Sequence, residues 1–484
     1  MRAIIVIRDE TNCKIEGLSV QTRRTLVNKF KFEVPYARHL PSVRLGRWDG
    51  KVAFFNVSGT TYVNLLPEIV ELLINESYDI DVVDQRSYNR NFEFSEVQED
   101  FFKGVTWPAK HLNAGQPVLL RDYQVDIVNN LLSNPQALMS APTGSGKTII
   151  TAALSKNIEQ YGRSIVVVPS KTLVQQTEED FILCGLDVGV LYGDRKEYNK
   201  THTICTWQSL NAIFKRTKNH EAEVPLDEFL EGVTGVIVDE CHGIRGSALQ
   251  GLLTGPMAGI PIRWGLTGTI PKENFEFFAL KISIGEVVGK LTAHELQEQG
   301  VLANCHVHVK QLQDYREFKD YQSELKYLVT DSARLEFLAG FIASLRDSGN
   351  TLVLVDRVAC GEELTRLIPE SAFISGITKS KDRKSEYDEI HVSDDKILIS
   401  TYGLTSTGVN IPRVFNLVLL ESGKSFTRVI QSIGRGVRKA HDKDMVNIYD
   451  ITSSCKFSKR HLAKRKAYYT ESKYPFSQEK VEWK

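Results

Sequence analysis

The length, composition and charge of the chain exclude several classes of protein. At 484 residues it is long enough for about three domains of ordinary size, each with its own core. Hydrophobic residues make up 42% of the chain and charged residues 25%, which is typical of a globular protein and unlike a disordered or coiled-coil chain. Lys plus Arg and Asp plus Glu both number 60, so any binding to phosphate depends on local basic patches.

Charge is segregated along the chain. Residues 14–51 hold nine basic side chains against three acidic ones, and residues 452–484 hold the same numbers. Residues 71–100 reverse the balance, with nine acidic against two basic side chains, and would repel a phosphate backbone. The two ends are therefore the basic parts of the molecule.

The cysteines and the apolar runs indicate an internal, soluble protein. The seven cysteines are scattered singly without a Cys-x-x-Cys pair, which argues against a disulfide framework or a thiolate zinc site. No run has the length of a signal peptide core or a membrane span. We expect a cytoplasmic protein, in the host cell cytoplasm if it is viral, with no membrane partner and with a monomer favoured.

The pattern of apolar residues predicts four segments in chain order. Residues 1–112 carry an apolar run at 3–7 and alternating segments at 52–57 and 62–66, which predict a small α+β domain. Residues 113–290 alternate β-branched runs with helical stretches, as in a parallel sheet covered on both faces. The clear strand candidates of this segment are residues 164–168, 235–238 and 263–266.

A second α/β lobe is predicted for residues 291–455. It begins with about forty polar, helix-favouring residues, 291–327, and its strand candidates are residues 351–355, 396–400 and 415–420. The last segment, 456–484, is basic and is predicted to be a helix or a tail. The fold class is therefore α/β, with two lobes in tandem behind the small N-terminal domain.

Residues 141–148, Ala-Pro-Thr-Gly-Ser-Gly-Lys-Thr, have the pattern of a phosphate-binding loop between a strand and a helix. Small residues let backbone N–H groups surround the phosphates of ATP at the helix N-terminus. Lys147 would reach the β- and γ-phosphates, and the hydroxyl of Thr148 would bind Mg²⁺. The strict pattern has Gly at the position of Ala141. The other predicted phosphate contacts are Thr143, Gly144, Ser145 and Gly146.

Asp239 and Glu240 follow a predicted strand, which places two carboxylates at the carboxyl edge of a parallel sheet. Asp239 would hold Mg²⁺, and Glu240 would orient and deprotonate the attacking water. Taken alone, an Asp-Glu pair after a strand is usually a helix cap with a solvated acid. The phosphate loop in the same segment favours the catalytic interpretation.

Residues 431–438, Gln-Ser-Ile-Gly-Arg-Gly-Val-Arg, place Arg435 and Arg438 three positions apart on a predicted helix face. Two guanidinium groups on one face can point at one anion. An arginine at a transferring phosphoryl group is worth about 10³ to 10⁵ in rate. The ordinary alternative is a surface helix with salt bridges.

These segments, in this order, resemble the motifs of superfamily 2 helicases of the DExH branch, over residues 119–440. The segment 120–124 resembles the adenine-reading motif, with Arg121 and Gln124 as its contacts. The remaining matches are residues 140–148 (motif I), 168–173 (motif Ia), 239–242 (motif II), 266–269 (motif III, here Thr-Gly-Thr), 400–412 (motif V) and 431–438 (motif VI).

The resemblance implies two RecA-like lobes with ATP between them. Gln431, Arg435 and Arg438 would then complete the site formed by Lys147 and Glu240. Gly408 and Asn410 would face the nucleotide from the second lobe, while Thr267 and Thr269 would link the nucleotide to the nucleic acid.

The path of the nucleic acid is predicted along the same strand ends. Thr206, Trp207 and Gln208 follow a strand-like run, and hydroxyl and amide groups suit phosphate contacts. Trp207 would stack on a base, although packing between helix and sheet is an equal alternative. The other predicted nucleic-acid contacts, from motifs Ia and V, are Pro169, Ser170, Thr401 and Thr405.

The two basic ends add to this picture. Residues 45–51 contain Asp49-Gly50, a hairpin turn signal, beside Arg47 and Trp48. With the motor motifs, this segment resembles phage recombination helicases of the UvsW type, which implies that residues 1–112 engage branched DNA. Six basic residues near the C-terminus would strengthen binding to DNA by counterion release if they lie near phosphates. The alternative is a solvated chain end. The six residues are Lys456, Lys459, Arg460, Lys464, Arg465 and Lys466.

The favoured hypothesis is an ATP- and Mg²⁺-dependent DNA helicase or translocase that unwinds or branch-migrates forks, junctions or RNA–DNA hybrids in recombination, replication or repair. An RNA helicase and a translocating subunit of a restriction or repair complex are the alternatives. A nucleic-acid-binding scaffold with an inactive ATPase is the non-enzymatic one, and the intact Lys147, Glu240 and Arg438 argue against it.

Overall fold

The computed structural model of the chain describes residues 1–86, 92–109, 113–244, 248–405, 411 and 413–484. Seven of their side chains are left out of the description: Ser380, Lys384, His391, Thr405, Phe426, Thr427 and Arg435. The chain divides into two units, Met1–Ala141 with Gly146–Lys290, and Leu291–Lys484 with Pro142–Ser145. Gly408, Asn410 and Pro412 lie outside the described residues. In the part of the chain that is described, no helix has the length and apolarity needed to cross a membrane.

The N-terminal part of the first unit is a small α+β structure, as predicted. Its main sheet has the strand order β5-β2-β1-β6, and β3 pairs with β4 in a separate two-stranded sheet. The elements are β1 (Arg2–Ile7), β2 (Asn12–Glu16), α1 (Val20–Lys29), β3 (Lys31–Glu33), α2 (Pro41–Arg44), β4 (Lys51–Ala53), β5 (Thr60–Tyr62), α3 (Leu66–Asn75) and β6 (Asp79–Asp84).

The rest of the first unit is built on an eight-stranded sheet with the order β10-β9-β11-β8-β12-β13-β7-β14. All neighbouring strands are parallel except β9 and β10. The elements are α4 (Asp122–Leu132), β7 (Gln136–Ser140), α5 (Lys147–Ile158), β8 (Arg163–Val168), α6 (Lys171–Leu183), β9 (Val188–Tyr192), β10 (Arg195–Lys196), β11 (His202–Thr206), α7 (Trp207–Lys218), α8 (Leu226–Phe229), β12 (Val233–Asp239), α9 (Ala248–Thr254), β13 (Ile262–Thr267), α10 (Asn274–Ser283) and β14 (Glu286–Lys290).

The small N-terminal structure shares a hydrophobic core with helix α10. Phe275 of α10 stacks on Phe54, with ring centroids 6.0 Å apart, and Phe278 stacks on Phe32 at 4.5 Å. Lys281, also on α10, forms an ion pair with Glu68 of α3. Residues 1–86 therefore form one unit with the eight-stranded sheet, and the domain boundary at residue 112 stays a prediction.

The second unit is built on a seven-stranded, wholly parallel sheet with the order β17-β18-β16-β19-β20-β15-β21. Helices connect the strands, as the alternating pattern of the sequence predicted. The elements are α11 (Ala293–Glu298), β15 (Asn304–Leu312), α12 (Tyr321–Thr330), α13 (Ser332–Ser344), β16 (Thr351–Val355), α14 (Val358–Leu367), β17 (Ser371–Ile374), α15 (Ser380–Val392), β18 (Ile397–Thr401), α16 (Tyr402–Thr405), β19 (Asn416–Leu420), α17 (Phe426–Gly436), β20 (Met445–Ser453), α18 (Lys456–Glu471) and β21 (Phe476–Val481).

Several local predictions were wrong. Residues 291–327 were expected to be helix-favouring, but they include β15, a nine-residue strand of the sheet. Residues 62–66 were expected to alternate as a strand, but a 3₁₀ helix at Val63–Leu65 leads directly into α3. The Asp49-Gly50 pair does not close a tight hairpin, because β3 and β4 are joined through residues 34–50 and helix α2.

The basic C-terminal segment is not a free tail. Helix α18 is followed by β21, which pairs in parallel with β15 from Val307 to Leu312. Arg465 of α18 is 1% exposed and forms an ion pair with Asp450 of β20 at 2.9 Å. Its guanidinium therefore stabilises the second unit and is not available to a phosphate backbone, whereas Lys456, Lys459, Arg460 and Lys464 are exposed.

Candidate nucleotide and nucleic-acid site

The predicted site residues of the first unit lie at one edge of its sheet. Five adjacent strands run in parallel in the order β11, β8, β12, β13 and β7, so their carboxyl ends meet at the same edge. The predicted nucleic-acid residues lie at the ends of β11 and β8, and the predicted nucleotide residues at the ends of β12 and β7. Thr267 and Thr269, predicted to link the two, lie at the end of β13. This edge is where open parallel sheets bind their ligands.

The phosphate loop leaves β7 and ends at helix α5. Ala141 N donates a hydrogen bond to Thr267 O at 2.8 Å, which fixes the start of the loop to the end of β13. Gly144 and Gly146 have positive φ angles of 87° and 79°, a conformation that glycine adopts without strain. Helix α5 begins at Lys147, so the N–H groups of its first turn face the loop, as anion binding requires.

Gln124 of the adenine-reading segment lies against this loop. A Cβ atom on Gly146 would stand 2.4 Å from Gln124 Nε2, so a larger residue at this position would displace this amide. Gln124 is 5% exposed, and its Oε1 accepts a hydrogen bond from Arg121 N at 2.9 Å at the start of α4. Arg121 is exposed, and its Nη1 donates to the hydroxyl of Tyr123 at 3.0 Å. The adenine-contact roles of both residues remain predictions.

Lys147 and the two carboxylates of motif II lie together. Lys147 Nζ is 3.1 Å from Glu240 Oε1 and 3.5 Å from the carbonyl oxygen of Ala141. Glu240 has a φ of 50°, a left-handed conformation that is unusual for this residue type. Its N–H donates to Asp239 Oδ1 at 2.8 Å, which holds the two adjacent carboxylates in a fixed arrangement.

The two carboxylates differ in their acidity. Burial raises the pKa of Asp239 to about 6; the Lys147 ammonium acts against this rise, and the neighbouring Glu240 adds to it. Burial also acts to raise the pKa of Glu240, but the Lys147 ammonium and a hydrogen bond with His242 outweigh it and lower that pKa well below its usual range. Glu240 is therefore ionised at neutral pH.

His242 connects motif II to motif III, a contact that the sequence reasoning missed. Its Nδ1 lies 3.3 Å from Glu240 Oε2 and 2.9 Å from Thr267 Oγ1. Thr267 Oγ1 in turn accepts a hydrogen bond from Thr269 N at 3.2 Å. His242 was part of the motif II match, but a role for it depends on the fold, because only the pairing of β12 with β13 brings Thr267 beside it.

The predicted nucleic-acid residues of the first unit are partly engaged in local structure. Ser170 Oγ caps α6 by accepting from Leu173 N, and Thr206 Oγ1 caps α7 by accepting from Ser209 N, both at 3.3 Å. Trp207 is half-buried and packs against the hydrophobic core, as the packing alternative expected. Pro169 is half-buried, and Gln208 is exposed.

The predicted residues of the second unit that the structure describes are spread over three elements and the segment after the last of them. Thr401 ends β18, and Thr405 ends the short helix α16. Gln431 and Arg435 lie on α17, but this helix ends at Gly436. Arg438 therefore follows the helix, and the prediction that both arginines share one helix face was wrong.

The residues that would hold Mg²⁺ fit the requirements of this ion. Mg²⁺ is usually held by one or two carboxylates together with phosphate oxygens and water, not by a complete protein cage. Among the described residues, no group of three or more His, Cys, Asp or Glu side chains forms such a cage. One carboxylate, Asp239, and one hydroxyl, Thr148, at the phosphate loop match the usual arrangement, and a bound cation would favour the charged form of the buried Asp239.

Comparisons with known proteins agree with the motifs and the fold. A family model described as "Type III restriction enzyme, res subunit" matches residues 118–272. The ATP-dependent DNA helicase UvsW of Enterobacteria phage T4 is 24% identical over 461 residues, covering 91% of this chain and 88% of the phage protein. The DNA 3'-5' translocase XPB2 of Sulfurisphaera tokodaii is 24% identical over 202 residues, or 42% of this chain and 41% of that protein.

The solved structures include Dbp5 of S. cerevisiae bound to RNA and ADP BeF3, with a TM-score of 0.54 and 16% identity over 80% of this chain and 96% of that chain. This likeness supports the fold of tandem RecA-like domains. The fold, the phosphate loop and the family match support one class: the chain resembles superfamily 2 helicases and is an ATP-hydrolysing enzyme of the helicase type. Within this class it resembles the UvsW-type helicases of phages, which confirms the resemblance predicted from its motifs.

Proposed function

We propose that the chain is an ATP- and Mg²⁺-dependent motor that translocates on DNA and remodels forked or four-way DNA or RNA–DNA hybrids. The observation that carries this proposal is the contact between Lys147 and Glu240 at the carboxyl edge of the first sheet. It supports the proposal because an ammonium group and an ionised carboxylate lie together at the start of α5, and ATP hydrolysis needs both.

The site residues have distinct roles in this proposal. The N–H groups of residues 143–148 and the Lys147 ammonium bind the phosphates, and the ionised Glu240 orients the attacking water and accepts its proton. Thr148 and Asp239 would hold Mg²⁺, which supplies charge neutralisation at the phosphates. Gln431, Arg435 and Arg438, with Gly408 and Asn410, are proposed to act on the same nucleotide.

The hydrogen bonds of His242 support a link from hydrolysis to the nucleic acid. The Nδ1 atom of His242 contacts both Glu240, the carboxylate proposed to orient the water, and the hydroxyl of Thr267 in motif III. Loss of the γ-phosphate would change the electrostatic field at Glu240. The hydrogen bonds of His242 would then shift, and this shift would reach Thr267 at the end of β13. The neighbouring strand ends, with Pro169, Ser170, Thr206 and Gln208, are the proposed contacts of the nucleic-acid backbone, together with Thr401 and Thr405.

The proposal that the substrate is DNA, and not RNA, rests on the descriptions of the relatives. UvsW, which aligns with 91% of this chain, is described as a DNA helicase. The matched family, a restriction enzyme subunit, favours a second candidate function, translocation along duplex DNA without strand separation.

The test of substrate is ATP hydrolysis by the full chain with single-stranded, duplex, forked and four-way DNA, an RNA–DNA hybrid and RNA. We expect forked and four-way DNA to raise kcat at least tenfold above the rate without nucleic acid, and RNA to raise it less than twofold. Stimulation by RNA alone would contradict the proposal in favour of an RNA helicase. Equal stimulation by linear duplex and branched DNA, without strand displacement, would favour the translocase.

A further inference from the structure

A lysine without an assigned role is buried beside motif VI. Lys443 is 2% exposed, and its Nζ donates hydrogen bonds to two carbonyl oxygens, those of Gly436 and Arg438, the second at 2.9 Å. Gly436 is the last residue of α17, where carbonyl groups lack partners within the helix and the helix dipole is negative. A cation donating to this end of the helix stabilises both the helix terminus and the segment that follows.

The burial of this ammonium is unfavourable unless it makes strong hydrogen bonds. Burial and the neighbouring Arg438 together lower the pKa of Lys443 to about 7, against the opposing effect of Asp442. The two carbonyl contacts give the ammonium a specific partner, the backbone of residues 436–438.

The backbone around Arg438 is held from the other side as well. Leu302 forms an antiparallel β-bridge with Arg438, and Ala303 N donates to Val437 O at 2.8 Å. The strand-like segment before β15 and the Lys443 side chain therefore fix the main chain on both sides of the arginine, immediately after the end of α17. Such fixation matters because a guanidinium that acts on a phosphoryl group must be placed within a fraction of an ångström.

We propose that Lys443 is a positioning residue for Arg438: its ammonium fixes the carbonyl groups of Gly436 and Arg438 and so holds the Arg438 side chain where it acts in ATP hydrolysis. This inference rests on the proposed role of Arg438. It predicts that loss of the ammonium impairs turnover and leaves ATP binding nearly intact, because Lys443 itself is not proposed to touch the nucleotide.

The test is Lys443→Met, which keeps the length of the side chain and removes the donor. We expect kcat for DNA-stimulated ATP hydrolysis to fall by about 10- to 100-fold, with the KM for ATP changed less than threefold. The matched control is Lys439→Met, because Lys439 lies one residue from Arg438 but is exposed, pairs with Asp444 and donates to Gly300 O and not to the backbone of motif VI. Circular dichroism and thermal unfolding establish that each variant is folded, and Lys443→Gln, which keeps one donor, replaces Lys443→Met if the latter does not fold.

A double-mutant cycle separates this inference from the proposed function. If Lys443 acts through Arg438, Lys443→Met lowers kcat in the wild-type background but by less than twofold in the Arg438→Ala background. Equal losses in both backgrounds, or wild-type kcat for Lys443→Met, would overturn the inference and leave the role of Arg438 intact. Unchanged kcat for Arg438→Ala alone would instead refute the proposed role of the arginine, and the inference with it.

Discussion

Glu240→Gln is expected to lower kcat for DNA-stimulated ATP hydrolysis by about 10²- to 10⁴-fold while ATP still binds. The amide keeps the size of the side chain but cannot accept the proton of the attacking water, and loss of general-base catalysis has effects of this size. The substitution also removes the negative charge that lies 3.1 Å from the Lys147 ammonium and competes with phosphate for it, so the affinity for ATP should stay the same or increase.

The measurement pairs steady-state ATP hydrolysis with equilibrium binding of a fluorescent ATP analogue. Glu178→Gln is a suitable control, because Glu178 is a carboxylate of the same unit that pairs with Arg195 away from the phosphate loop. Normal DNA-stimulated turnover by Glu240→Gln would remove the role assigned to this carboxylate.

Arg438→Ala is expected to lower kcat by about 10³- to 10⁵-fold, the range known for arginines that stabilise the charge of a transferring phosphoryl group. Binding of ATP should weaken less than tenfold, because the stabilisation is needed chiefly in the transition state. The structure adds a physical reason for favouring Arg438: the backbone on both sides of it is held by Lys443, Leu302 and Ala303.

Arg413→Ala provides the control for Arg438→Ala. Arg413 lies in the same unit and is engaged by Asp394 and Asp442, so its loss removes a positive charge without touching motif VI. A kcat for Arg438→Ala within twofold of this control would contradict the assignment.

The parallel strands of both units were predictable because they are buried on both faces and appear as continuous apolar runs. The prediction for residues 351–355 coincides with β16, and the other five predicted strands of the two lobes differ from the observed strands by at most two residues at either end. The phosphate loop was also placed correctly between a strand and a helix, because glycines and a following helix form a local pattern.

Strand β15 was missed for a physical reason. Cys305, Val307 and Val309 are buried, but histidines and a lysine alternate with them on the other face, so the segment appears polar on average. Its period of two is visible in the sequence and was hidden by the helix-favouring residues on both sides. The burial of Arg465 was missed although the sequence indicates it. Leu462, Arg465 and Tyr469 follow the helical period, and all three are buried.

Other features depend on contacts between distant parts of the chain, which a single sequence does not specify. The core shared by α10 and the N-terminal sheet joins residues more than 200 positions apart, such as Phe54 and Phe275. Helix α10, which contributes Phe275 to this core, begins only a few residues after motif III.

The most direct test of the motor is strand displacement on a forked DNA substrate by the full chain with Mg²⁺. We expect displacement with ATP, and none either with a non-hydrolysable ATP analogue or with Lys147→Ala in the presence of ATP. Equal displacement with the analogue, or by Lys147→Ala, would show that the phosphate loop does not power the reaction and would contradict the account.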